Sequence, residues 1–412
     1  MNFGSVIKYY RTKNNMTQSQ LAEGICSISH LSKIESNTYV PHESTIKALL
    51  AKMGVQWKKE MDKRNRLERK LGEFIDCSLH YDLGSMGSQY LQLEKEKDYI
   101  QSTDLVNQYE LYKFRYYIYE NDQLKADKQM ALLERMNGSF TGPEKWLHRF
   151  FLSLYYTMHN KKEQALELLN VLDQGIQSIP QKFEGEYYYQ KARLLILHEK
   201  YDLSAHFAEL AVQYFRLHYN YIRLLHAQLL LAINYTRRNL LVQAAGIYEV
   251  LKRNTHLTGQ TDLYNQTIYN FAELLKSRKE NEQAYELLTE LQKSITANTY
   301  FYKAVLVSLI ETAVEIGADA WDYVRELTAL AKGAEDEYFI VYLNYFEKRN
   351  FSQPDLLAYS EEKMFPFFRK YGYIRESKKI AFELAEHFQE KEEWEKAIFY
   401  RSYFERNGGE YA

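Results

Sequence analysis

Only two cysteines, Cys26 and Cys77, occur in the 412 residues, and they are far apart. Such a pair builds no disulfide framework, so a reducing, cytoplasmic setting is expected. Proline is almost as scarce, at 5 residues. With few helix breakers and abundant Leu, Glu, Lys, Gln and Ala, the chain should be helical nearly throughout. There is no run of about 18 apolar residues, so no membrane span or membrane partner is expected. The start, Met1-Asn-Phe-Gly-Ser-Val-Ile-Lys8, lacks the apolar stretch of a secretory signal. Gly-x-Gly-x-x-Gly, the Walker loop, Gly-x-Ser-x-Gly and Cys-x-x-Cys are all missing. The 11 histidines are scattered without acidic companions at metal spacing. The reading is therefore a non-enzyme with no cofactor and no metal.

What is present is a globular composition, 46% hydrophobic, with 37 tyrosines. Tyrosine offers a broad apolar face and a polar tip, which suits binding surfaces. The net charge of −2 conceals an asymmetry. Residues 1–70 carry 13 Lys and Arg against 6 Asp and Glu, while the remainder carries 40 against 49. A basic head on an acidic body fits a chain whose head alone meets nucleic acid.

The head reads as four short helices over residues 1–55. Helix 1 spans Phe3 to Lys13, with Val6, Ile7 and Tyr10 on one face. Thr17 caps helix 2, and Gln20 completes a capping box. Leu21 and Ala22 supply its apolar face, and Gly24 permits the reversal that follows. Ser27 caps helix 3, whose Leu31 and Ile34 point inward. Ile28, Ser29, Ser32 and Lys33 then face outward, where they could meet base edges, phosphates and a thymine methyl. Gln18 is placed to contact a phosphate. Helix 4 runs from about Ser44 to Met53.

This stretch resembles the phage-repressor, Xre/Cro-type helix-turn-helix family. The match lies in Thr17-Gln18, Leu21-Ala22 and Ser32-Lys33-Ile34-Glu35-Ser36-Asn37, with Ile25-Cys26 a departure. The resemblance implies that Ile28, Ser29 and Lys33 read bases, and that Gln18, Ser27 and Asn37 hold the backbone of double-stranded DNA. It also implies a palindromic operator read by a homodimer or higher oligomer.

Residues 56–70 are polar and basic, and read as a linker helix entering the body. From residue 71 to 412 a small residue after a polar turn recurs at Gly87, Ala126, Ala165, Ala205, Ala244, Ala284, Ala320, Ala358 and Ala397. The spacings run from 36 to 40 residues. Each period fits one helix hairpin, and about nine hairpins fit the segment. A hairpin buries its apolar face only against its neighbours, so the array must be continuous. The pattern resembles the tetratricopeptide family. The expected fold is thus all-α: a helix-turn-helix head followed by a right-handed superhelix whose groove is lined by the first helix of each hairpin.

Asn234 and Asn270 fall inside first helices, where Asn is a poor choice. An amide side chain both donates to and accepts from a bound backbone, so an extended peptide is the expected ligand. Tyr189, Tyr235 and Asn344 occupy comparable positions, and Arg115 and Arg193 could take a peptide carboxylate. Head and repeats together resemble the RRNPP group of peptide-pheromone regulators, most of all its NprR type. That resemblance implies quorum sensing through a short, imported signalling peptide. It also implies a second reading, in which the peptide-free body binds or dephosphorylates a sporulation phosphorelay response regulator, as the Rap phosphatases do.

Overall fold

The structure, a computed structural model, describes residues 3–173, 180–334, 336–350 and 356–405. All regular structure among these residues is helical. No helix among them is long and apolar enough to cross a membrane.

The head comprises α1 (Phe3–Lys13), α2 (Gln18–Ala22), α3 (Ile28–Glu35) and α4 (Glu43–Lys52). The expected caps form. The Thr17 hydroxyl accepts from the Gln20 amide while the Gln20 side chain accepts from Thr17 N–H, and the Ser27 hydroxyl accepts from the His30 amide. Gly24 takes a φ of +77° between α2 and α3, a left-handed turn cheapest for glycine. Ile7, Leu21, Ala22, Leu31, Ile34 and Leu49 close a small core. The linker does not end at residue 70. It is part of one helix, α5 (Trp57–His80), which packs on α6 (Leu83–Glu94) ahead of the short α7 (Lys97–Ile100).

Helix hairpins follow. They pair α8 (Val106–Tyr119) with α9 (Gln123–Met136), and α10 (Gly142–Met158) with α11 (Lys162–Asp173). Next come α12 (Glu184–Leu197) with α13 (Tyr201–Leu217), and α14 (Tyr221–Arg237) with α15 (Leu241–Leu257). Then stand α16 (Thr261–Ser277) with α17 (Asn281–Ser294), and α18 (Tyr300–Glu315) with α19 (Trp321–Gly333). In the next pair α20 (Glu337–Asn350) meets a broken second helix: α21 (Leu356–Tyr359), a π turn (Ser360–Met364) and α22 (Phe365–Lys370). The last described pair is α23 (Ile374–Glu390) with α24 (Trp394–Glu405). The chain divides into two compact units, Met1–Tyr187 and Tyr188–Ala412, with the division inside α12.

The repeat is real but its register needs correction. From α6 to α19 the buried position is the fourth residue of the second helix: Met86, Ala126, Ala165, Ser204, Ala244, Ala284 and Val324. These step by 39 or 40 residues throughout. The sequence-based marks at Gly87 and Ala205 sit one residue late, and Ala320 sits four early, outside α19 as its N-cap. Ala358 is exposed, and the buried small residue of its hairpin is Ser360. Small-residue identity alone misses these positions because Met86 and Val324 are larger and the others are serines, of which Ser204 donates its hydroxyl back to Ala192 O at 2.7 Å.

The register carries a test. Ala284 is fully enclosed between helices, so Ala284→Leu should cost about 1–3 kcal/mol through overpacking. Ala358→Leu should stay within about 0.5 kcal/mol, as surface changes do. Urea unfolding of the two variants checks the pair, and equal losses would contradict the corrected register.

Candidate functional site

In the head, the outward face of α3 presents Ile28, 51% exposed, with Ser27, Ser29, Ser32 and Lys33 also exposed. What holds that face is a carboxylate. Glu35, buried at the end of α3, accepts from Arg11 Nε at 2.6 Å and Nη2 at 2.9 Å, and from Gln18 Nε2 at 2.8 Å. Arg11 also donates to Met16 O. One carboxylate therefore ties α1 and α2 to α3. The bidentate geometry fixes orientation as well as energy. Gly4 lets α1 lie against the end of α3: a Cβ there would stand 1.9 Å from the Ile34 carbonyl oxygen.

Two expected backbone contacts are spent inside the head. Gln18 gives its amide to Glu35 rather than pointing outward. Asn37, left-handed at φ +59°, donates to the Ser5 hydroxyl at 2.9 Å. From sequence, Arg11 has no assigned role and Glu35 is named only within the Ser32–Asn37 match. Their separation of 24 residues gives no periodic signal, although an isolated Glu on the inner face of α3 is a clue in hindsight.

Within the first unit the head is fastened to α5 and α7. Glu60, 2% exposed, accepts from Tyr10 Oη at 2.7 Å and from Tyr99 Oη at 2.5 Å. Lys63 lies 3.4 Å above the Tyr99 ring. Burial, then the bond to Glu60, pushes both phenols up. Arg115, read from sequence as able to take a peptide carboxylate, belongs to this unit too and is bonded internally. It is 0% exposed, with Nη2 donating to Glu186 Oε2 at 3.1 Å and to Ser78 O at 3.2 Å. Phe151 and Phe183 flank its guanidinium.

In the second unit the candidate residues are dispersed. Tyr189 and Arg193 do come together, beside Arg223, whose guanidinium lies 4.4 Å from the Tyr189 ring centre. Burial first, then Arg223 and Arg193, pushes neighbouring His226 down to about 4. Tyr235 donates to Glu209 at 2.9 Å. Asn234 is fully enclosed, its amide donating to Leu230 O of its own helix, so it meets no ligand while that packing holds. Asn270 is half-exposed and donates to Gln266 O, also within its helix. Asn344 is exposed and bonded to Tyr359, away from the others.

The densest polar arrangement in this unit was not foreseen. Lys276 Nζ donates to Glu273 at 2.8 Å, to Glu311 at 2.9 Å and to Ser308 at 3.0 Å. Ser308 in turn donates to Glu273 at 2.6 Å, and Tyr342 to Glu311 at 3.2 Å. This belt crosses α16, α18 and α20. Burial works to raise the Glu273 carboxyl, but Lys276, Ser308 and Arg375 hold it below the usual carboxylate range. Burial and then Glu311 push Tyr342 well up. Beside the belt opens a cavity of about 500 Å3, bounded by α16, α18, α20 and α23 and by the turn into α17. Lys378 of α23 pairs with Glu199 at 2.7 Å, tying the last described hairpin to the turn after α12. No periodicity announces such a belt, because its members are single residues on helices about 35 positions apart.

Comparison with known proteins finds likenesses to the head and to the whole chain. Residues 7–58 match the helix-turn-helix family. The transcriptional activator NprA of Geobacillus stearothermophilus is 22% identical over 398 residues, covering 92% of this chain and 97% of that protein. The apo quorum sensor NprR of B. thuringiensis shares the fold at a TM-score of 0.63 and 20% identity, over 82% of this chain and 97% of its own. A Rap protein complexed with competence and sporulation factor gives a TM-score of 0.70 at 14% identity, over 82% of this chain and 97% of its own. The resemblance to the RRNPP group and its NprR type, read from head and repeats, is borne out.

The place of Arg115 can be checked directly. Arg115→Met removes the charge but leaves Glu186 buried beside an apolar chain, which should cost roughly 3–5 kcal/mol. Unfolding by urea reads this. Unchanged stability would mean that the buried pair is not what the geometry indicates.

Proposed function

We propose that this helix-turn-helix regulator of the RRNPP type binds double-stranded operator DNA through α3 and is switched by a short signalling peptide held in its second unit. The single observation that carries the first half is the exposed face of Ile28, Ser29, Ser32 and Lys33 on a helix locked from behind by Arg11 and Glu35. A face read by DNA must be rigid and outward at once, since each well-placed base contact is worth about 1–3 kcal/mol only when preorganised. Ser27, spent as a helix cap, still presents an exposed hydroxyl for a phosphate. Two heads acting on one palindrome are the arrangement that such small modules use.

The second half is supported by the cavity in the second unit and by the amide-bearing Asn270 on its neighbouring helix α16. A peptide must find partners for its backbone groups when it leaves water. Asn270 shares a helix face with Glu273, so amide and charged belt address one ligand. Tyr189, Arg193 and Tyr235 stand on α12 and α14 of the same unit and extend the ligand-facing set. Assembly into dimers or larger forms, and a fall or rise of operator affinity with peptide, belong to this reading. A peptide that takes the competent state from 1:99 to 99:1 must prefer it by roughly 10⁴-fold.

Two outcomes follow. Lys33→Ala should weaken operator binding by about 1–3 kcal/mol in gel-shift titration and leave peptide affinity as it was. An operator affinity equal to wild type would remove α3 as the reader. Asn270→Ala should weaken peptide binding by about tenfold with the melting temperature held. Calorimetric titration giving the wild-type affinity would take Asn270 out of the ligand site.

A further inference from the structure

The cavity beside the Lys276 belt carries more charge than its own bonds consume. Its lining holds four cations, Lys276, Lys279, Arg349 and Lys379, against two carboxylates, Glu311 and Glu315. Two of the cations are spoken for. Lys276 is bonded to Glu273 and Glu311, and Arg349 donates to Tyr345 Oη at 2.7 Å and to Glu383 at 3.2 Å. Lys279 and Lys379 have no carboxylate within ion-pair distance among the described residues, and both are exposed. The wall between the charged groups is apolar, with Val314 40% exposed and Phe346 beneath.

Lys279 also stands where lysine is costly. It is the left-handed residue, φ +61°, of the turn from α16 to α17. The corresponding turns use Asn at 121, 160 and 239 and Gly at 317, with larger side chains at Tyr81, Glu199 and Glu392. Asn and Gly tolerate this conformation, whereas a long side chain carries a penalty. Glu199, a charged residue at the same place in another turn, is engaged in the ion pair with Lys378. Lys279, like Glu392, has no such ion pair among the described residues.

We infer that the ligand of this cavity presents a carboxylate to Lys279 and Lys379 and lays an adjacent apolar side chain on Val314 and Phe346. This rests on the peptide-binding reading above and narrows it to peptides with an anionic end. The carboxylate belongs either to the free C-terminus or to an acidic side chain next to it. Both are the same chemistry for an ammonium, which acts as a point charge rather than a fork. At an exposed rim the attraction is screened by salt.

The test uses the full chain and three pools of randomised short synthetic peptides in affinity selection read by mass spectrometry. One pool lacks Asp and Glu and ends in free acids. The second is the same pool amidated. The third is amidated with one Asp at the last residue. Wild type should retain the first pool about tenfold better than the second, and added salt should shrink that difference. The double variant Lys279→Asn, Lys379→Ala should lose the preference but keep the amidated pool at its wild-type level. Asn suits the turn, so folding is preserved and a melting curve verifies it. Lysine-dependent recovery of the third pool supports the inference with the charge on a side chain. Equal retention of acid and amide pools, indifferent to both lysines, overturns it and leaves peptide binding standing. Retention of nothing from any pool overturns peptide binding itself, and the inference with it.

Discussion

No hairpin in this chain can cover its own apolar face. Every second helix approaches its neighbours through a buried fourth residue, from Met86 to Val324, and the approach is close because that residue is small in most copies. Stability in such an array is a sum of nearest-neighbour interfaces. The consequence is a scaffold along which successive first helices bring isolated polar residues into register. Lys276, Glu311 and Tyr342 meet only because the helices that bear them stack at that spacing.

The abundance of tyrosine acquires a structural meaning from the same stacking. Many phenols donate to a carboxylate on another helix: Tyr10 and Tyr99 to Glu60, Tyr155 to Asp127, Tyr302 to Glu326 and Tyr345 to Glu383. Such a bond lets one edge of an aromatic ring join helices while its face packs, and it satisfies a carboxylate without a second charge. These tyrosines thus serve between helices. At Glu60 this device sets the attitude of the head against α5 and α7 within the first unit. A buried carboxylate held by two phenols and approached by Lys63 is a directional fastening, and the outward face of α3 inherits its orientation from it.

The proposed function asks for a rigid reading face and a responsive ligand site, and the residues that would supply them lie in different units. Around α3 the buried Glu35 carboxylate is satisfied by Arg11 and Gln18, and the start of the helix by the Ser27 cap. In the second unit the polar groups form a chain of bonds reaching the rim of a cavity. The Lys378–Glu199 pair connects the two ends of the same unit. In the proposed reading, a ligand that draws charge at the rim would act on groups already coupled through α16, α18, α20 and α23, and its binding free energy would be available to shift how those helices sit. Differential affinity between two arrangements is the requirement for any such switch.

Local rules were enough for the head. Caps at Thr17 and Ser27, the turn at Gly24 and the inward Leu31 and Ile34 follow from short-range chemistry, and they stand where the sequence places them. The all-helical repeat was legible for the same reason, since its period is written in buried positions. What the tertiary structure decided is every pairing between distant residues. Arg115 looked like a ligand contact and is buried against Glu186. Gln18 looked outward and turns to Glu35. Asn234 stands on the expected helix and is sealed inside it. The cavity and its two uncommitted lysines could not be read from the chain, because an unpaired charge is defined by what lies near it in space, and sequence spacing does not record that.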